Sequence, residues 1–143
     1  YWTYNGTVPG PMFRARVGDT VFVHGGILPS HAEAGLETIN SQVQAWIRGE
    51  GEEPDEWIHS DAAPVWTRDY SSDPDEADCA DLESALEILG ASRMVVGHTV
   101  QDTANPACND KVWRMDVGMS SYYGGSPAAL EIAGDDVTLM EPD

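Results

Sequence analysis

Two short apolar runs constrain this chain more than anything else in it. Val21-Phe22-Val23 runs into His24-Gly25-Gly26, and Met94-Val95-Val96 runs into Gly97-His98-Thr99. β-Branched residues followed by glycines read as buried strands that enter loops. Between the two runs lie segments with apolar residues at helical spacing. Leu36, Ile39, Val43, Trp46 and Ile47 predict a helix over about 35–48, with Gly49 where a C-terminal cap falls. Leu82, Ala85, Leu86 and Leu89 predict a second helix over about 78–89, with Asp78 as its cap and Gly90 closing it.

The remaining segments are punctuated by turn formers. Asn5-Gly6 and Pro9-Gly10-Pro11 mark tight turns at the start, and the acidic stretches 49–56 and 71–78 read as exposed loops. Residues 63–70 mix apolar and polar side chains. A turn-rich segment surrounds Asn105-Pro106, followed by 111–117, a loop over 118–125, and a hairpin over 129–140 that turns near Gly134-Asp135. Strands alternating with helices predict an α/β chain, a mixed sheet flanked by helices. There is no internal repeat and no low-complexity tract.

Charge narrows the partners. Twenty-five acidic against seven basic side chains give a net charge of −18, a surface that repels nucleic acid and anionic membranes. The apolar runs are too short for a spanning helix. Such an acid excess serves solubility or life in high salt, or draws cations towards a site. Cys79 and Cys108 form no CxxC or CxxxH spacing, so they read as ordinary thiols rather than a zinc site, with a disulfide not decided by spacing. The compartment stays open.

Chemistry concentrates at His24 and His98. A side chain at a strand end is held by a rigid element yet stays accessible, which suits a metal ligand or a proton donor. Neutral imidazole is the commonest nitrogen ligand for transition metals. One histidine so placed is more often structural; two in equivalent positions shift the balance without settling it.

The surrounding residues carry a resemblance. Phe22-Val23-His24-Gly25-Gly26-Ile27 resembles the HGG motif of phosphoprotein phosphatases, and Val96-Gly97-His98-Thr99-Val100 resembles their later GHT motif. Pro64-Val65-Trp66-Thr67-Arg68-Asp69-Tyr70 resembles the tryptophan–arginine segment of the bacterial, Shewanella-like branch. The segment from Val112-Trp113-Arg114-Met115-Asp116-Val117-Gly118-Met119 to Tyr122-Tyr123-Gly124-Gly125 resembles its late strand. On these motifs residues 16–143 are identified as the C-terminal half of a calcineurin-like metallophosphoesterase.

That resemblance implies part of an α/β sandwich with a site for divalent metal ions (Mn, Fe or Zn) and hydrolysis of phosphate monoesters on phosphorylated substrates. Two such ions about 3.5–4 Å apart clamp phosphate oxygens and acidify a bridging water. By the same resemblance His24 and His98 are metal ligands and Arg68 contacts the phosphate, where a planar guanidinium binds two oxygens at once. The family's GDxHG, GDxxDRG and GNHE motifs are not in this sequence. Two histidines alone do not hold two divalent ions. The expectation is an incomplete phosphatase, weakly active or inactive, whose partner is an N-terminal half carrying those motifs.

A second resemblance lies at the start. Residues 1–21, through Asn5-Gly6-Thr7-Val8-Pro9-Gly10-Pro11 and Arg16-Val17-Gly18-Asp19-Thr20-Val21, resemble the opening of a cupredoxin domain of copper nitrite reductases and multicopper oxidases. A type 1 copper site needs two histidines, a cysteine and usually a methionine, and neither cysteine here has a histidine a few residues downstream. The resemblance implies a cupredoxin-like segment over 1–15, one strand and turn that complete a sheet edge, without copper. Beginning at Tyr1, the sequence reads as a processed or partial chain, and the overlap at 16–21 as a junction. The alternatives are an inactive chimeric or truncated fragment, or a copper protein of cupredoxin type.

Other residues have plainer readings. His31 and His59 are surface or hydrogen-bonding histidines, and Trp46, Trp66 and Trp113 are core. Asp116 either supports a ligating histidine from behind or is an ordinary strand-end polar residue. Tyr122 and Tyr123 line the phosphate cleft or cover the edge of the core.

Overall fold

The computed structural model describes residues 14–142. Its centre is a five-stranded mixed sheet in the order β1-β2-β3-β5-β4. The strands are β1 (Arg14–Val17), β2 (Thr20–Val23), β3 (Arg93–Val96), β4 (Asn105–Ala107) and β5 (Val112–Arg114). β2, β3 and β5 run parallel, and β1 and β4 pair antiparallel at the two edges. Parallel strands are covered on both faces, which explains why β2 and β3 read as continuous apolar runs rather than as alternating ones. All four residues of β3 are buried, Arg93 among them. Its guanidinium is satisfied there by Thr20 Oγ1 (3.3 Å), the Gly134 carbonyl (3.2 Å) and the Asp19 carboxylate at 3.6 Å.

The chain between β2 and β3 is helical: α1 (Pro29–Ala34), α2 (Leu36–Ile47), α3 (Asp55–Ile58) and α4 (Glu76–Leu89). Leu82, Ala85 and Leu86 of α4 pack on Val21, Val23, Met94, Val96 and Val112 of the sheet, with Ile27, Ala32 and Tyr70 filling in. The buried Tyr70 hydroxyl donates to the Ile27 carbonyl at 3.2 Å. A satellite core joins Ile39 and Val43 of α2 to Trp57. The predicted hairpin forms β6 (Ala129–Ala133) and β7 (Asp136–Met140), Gly134 taking the left-handed φ of +65° that the turn needs. Among the described residues no helix is long and apolar enough to cross a membrane.

Several readings are corrected here. The cap of α4 lies three residues ahead of the expected one: Asp75 Oδ1 accepts from the amides of Ala77 (2.7 Å) and Asp78 (3.1 Å), while Asp78 Oδ2 accepts from the Asp75 amide (2.9 Å). Asp78 closes a reciprocal capping box instead of opening the helix. The segments read as loop and turn at 49–56 and Asn105-Pro106 contribute the start of α3 and edge strand β4. None of the three tryptophans assigned to the core is fully buried; Trp46 and Trp113 are half-buried, and Trp66 is 47% exposed. Trp57 is the tryptophan that packs inside, at 8%. His31 is buried, its Nδ1 accepting from the Leu28 amide. His59 is exposed beside Glu53, at 2.9 Å. Cys79 and Cys108 are not free thiols but a disulfide that ties the first turn of α4 to the β4–β5 turn, with Cα atoms 5.2 Å apart.

β1 crosses the boundary read at residue 15/16 and occupies the edge beside β2. The turn formers at Asn5-Gly6 and Pro9-Gly10-Pro11, and with them nearly all of the cupredoxin-like segment, lie outside the described residues.

Candidate functional site

Because β2, β3 and β5 are parallel, whatever follows each of them emerges at one edge of the sheet. His24 follows β2, Gly97 and His98 follow β3, and Asp116 lies two residues beyond β5. In open α/β sheets that carboxyl edge is where ligands bind. The Gly97 amide donates to the His24 carbonyl at 2.8 Å, carrying the main-chain contact between the two segments past the ladder. This brings the imidazoles together: His24 Nε2 and His98 Nδ1 are 3.0 Å apart, with ring centroids at 4.8 Å.

The loop with Arg68 is laid over this pair by the glycines after His24. The amides of Gly25 and Gly26 donate to the Pro64 carbonyl at 2.8 and 3.1 Å. A Cβ on Gly25 would stand 2.8 Å from the Thr67 carbonyl oxygen, so only glycine admits the loop at that distance. Ser71 Oγ donates to Thr99 Oγ1 (2.7 Å), and the Gln101 amide side chain donates to the Ser71 carbonyl (3.0 Å). These bonds lock residues 64–71 against the His98 loop. Arg68 is exposed and close enough to act electrostatically on His98.

His98 is unusual in three ways. Its φ is +64°, a left-handed conformation uncommon for a residue with a Cβ. Its Nε2 is buried without a hydrogen-bond partner. Its pKa is held below the ordinary histidine value of 6.5, first by burial, then by the positive charge of Arg68 and by His24, against which Asp116 pulls weakly upward. The result is a neutral imidazole near pH 7, the form in which histidine binds metal.

The donor set fits a divalent ion in part. With metal–nitrogen bonds of about 2.1 Å, two nitrogens 3.0 Å apart subtend roughly 90° at a shared ion, an angle of octahedral coordination. No carboxylate comes within ligand reach of both rings among the described residues, where the one grouping of three possible ligands is the exposed set Glu53, Asp55 and His59. Asp116 is turned instead to the Gly118 amide (3.1 Å). Tyr122 and Tyr123 are exposed and pack edge to face on each other, so they cover no core. Trp66, read as core, stands against His98 with ring centroids at 5.4 Å and planes at 79°. The WTR sequence placed it beside Arg68, but an apolar ring in a mixed segment carries no mark of its partner.

Against known proteins, the chain is 46% identical over 127 residues to Shewanella-like protein phosphatase 2 of Arabidopsis thaliana, covering 85% of this chain and 32% of that protein. The similarity is to a protein phosphatase. An uncharacterized protein of Schizosaccharomyces pombe is 25% identical over 120 residues, 80% of this chain and 36% of its own. Among solved structures, the cold-active protein tyrosine phosphatase of a psychrophilic Shewanella species superposes with a TM-score of 0.71 at 21% identity, over 90% of this chain and 40% of that one. A point mutant of a cold-active protein tyrosine phosphatase gives 0.72 at 22%. At such identities the structures establish a common fold. No protein-family model matches the chain, and the chain spans about a third of the length of the curated relatives it matches.

These relatives correct the family read from the motifs. Calcineurin-like metallophosphoesterase and cupredoxin are both set aside, since the sequence relative is a Shewanella-like protein phosphatase and the solved structures that share the fold are protein tyrosine phosphatases. Short segments with a histidine and glycines at a strand end recur at many sites. An alignment of 127 residues discriminates more finely.

Proposed function

We propose that this chain is the part of a protein phosphatase that supplies two histidine ligands and the phosphate-binding arginine, acting on phosphorylated proteins. The observation that carries the reading is the 3.0 Å approach of His24 Nε2 to His98 Nδ1 at the carboxyl edge of the parallel strands, with Arg68 beside them. The 46% identity to Shewanella-like protein phosphatase 2 supports it. His24 and His98 hold a divalent ion (Mn, Fe or Zn), and the rest of a relative-length protein supplies its other ligands. When bound, such an ion lowers the pKa of a water and stabilises charge on phosphoryl oxygens. Arg68 receives the phosphate through two parallel N–H donors, which fixes its orientation as well as its charge. Burial, with Arg68 and His24, holds the His98 pKa low and so favours the neutral ring that coordinates a metal.

Hydrolysis of an aryl phosphate with Mn²⁺ tests this. The chain alone is expected to turn over negligibly, because two imidazoles do not position an attacking water. Mixing it with the N-terminal two-thirds of a Shewanella-like phosphatase is expected to restore hydrolysis. His24→Ala or His98→Ala then abolishes it, and Arg68→Ala lowers kcat/KM on the order of 100-fold. Restored turnover that ignores both histidine substitutions contradicts the site. Robust turnover by the chain alone, lost in both variants, contradicts the ligand count.

A further inference from the structure

Ligating histidines ordinarily donate their second ring nitrogen to a carboxylate, carbonyl or water, which fixes the ring and its tautomer. His98 has no such bond: Nδ1 faces His24, and the buried Nε2 has no partner. A buried ring nitrogen without a partner is unfavourable and does nothing to hold the ring, and the left-handed backbone at φ +64° adds strain of its own. Something else must therefore hold the imidazole. Trp66 packs against it at 5.4 Å, nearly perpendicular. Trp66 is itself held at two points: its amide donates to the Ala63 carbonyl at 2.8 Å, and its indole Nε1–H donates to the Ile58 carbonyl at the end of α3. An indole with 47% of its surface in solvent is ill-suited to core packing, but an anchored ring suits the wall of a site.

We propose that Trp66 is a positioning residue for His98. It fixes the imidazole by ring packing where a hydrogen bond would ordinarily do so, and keeps Nδ1 turned towards His24, where the tautomer with its proton on Nε2 accepts from His24 Nε2–H. The step from ring position to metal affinity rests on the metal reading above; the step from Trp66 to the His98 tautomer does not. Arg68, two residues on in the same loop, is carried by the same turn, so Trp66 also couples the arginine to the histidine it faces.

The test uses the chain in two states. In metal-free protein, ¹⁵N signals of the histidine rings report the tautomer directly and respond little to loss of a neighbouring ring. His98 is expected as one neutral tautomer, protonated on Nε2. In Trp66→Leu it is expected to average between tautomers, while His31, whose Nδ1 is fixed by the Leu28 amide, stays unchanged. Titration with Mn²⁺ alone is expected to give a dissociation constant raised roughly 10–100-fold, the usual effect of removing a group that orients a ligand. Trp66→Met fills the space without a ring or a donor, and carries the same expectations should the leucine variant fail to fold. A folded variant that keeps the single His98 tautomer and binds Mn²⁺ within twofold of the unsubstituted chain overturns the proposal. If the unsubstituted chain binds no Mn²⁺, the metal reading falls, and the ring-nitrogen signals alone decide the role of Trp66.

Discussion

At His98 several influences compete for one proton. Burial leads, Arg68 and His24 add to it, Asp116 opposes, and the pKa falls below 6.5. Between the folded and unfolded values the unfolded chain binds more protons, so stability rises with pH through that window and is lost as pH falls below about 6.5. The melting temperature is expected to drop between pH 7 and pH 5, and His98→Asn, which tolerates the left-handed φ, should drop less steeply. Parallel slopes would show that His98 is not desolvated. Gly25 offers a sharper probe, because a Cβ there meets backbone oxygens of Thr67 and Pro64 at 2.8 and 2.9 Å. Gly25→Ala is expected to cost about 2–3 kcal/mol in denaturant unfolding, since the loop with Arg68 must move aside. A cost under about 0.5 kcal/mol would mean that the loop is loosely held. The two histidines were legible because a strand end is visible as an apolar run meeting glycine. The contact of Trp66 with His98 was not, since an aromatic residue is apolar whether it fills a core or packs on a histidine.

At the scale of elements, helix periodicity located α2 and α4 well, and the ends were decided by side chains that compete for the same role. Asp75 and Asp78 both suit a cap, and only the reciprocal bonds between them show which is which. β4 escaped detection because Asn105-Pro106 is a turn signal. Proline is accepted there on an edge strand, where an amide is dispensable, and the Asn105 side chain also accepts from the Arg114 guanidinium (Nε at 2.8 Å). The Cys79–Cys108 bond closes a separation of 29 residues, which sequence spacing leaves undetermined. It spans the face between α4 and the β4–β5 turn, whose residues Cys108, Asn109 and Asp110 all have left-handed φ values. Chain-entropy arguments give such a closure on the order of 3 kcal/mol. The Cys79→Ser, Cys108→Ser double variant is expected to lose about that much, measured against the oxidised protein by urea unfolding; an equal midpoint and slope would mean that the turn is held by its other contacts alone.

For the whole molecule, a net charge of −18 surrounds a site whose arginine is proposed to receive a phosphate. Surface carboxylates draw divalent cations loosely everywhere, so bulk binding says little about function. The α/β class was legible from the alternation of strand and helix. Convergence of residues 74 positions apart depended on the parallel pairing of β2 with β3, which periodicity suggests but does not fix. The central claim is that this edge, and not the acidic surface, is where an ion is held. Paramagnetic broadening of amide signals by substoichiometric Mn²⁺ separates the two. Signals over 23–26, 66–68 and 96–99 should disappear first, and should survive in His24→Ala. Loss confined to 53–59, where Glu53, Asp55 and His59 cluster, or spread along α4 with the histidine edge intact, would contradict the account.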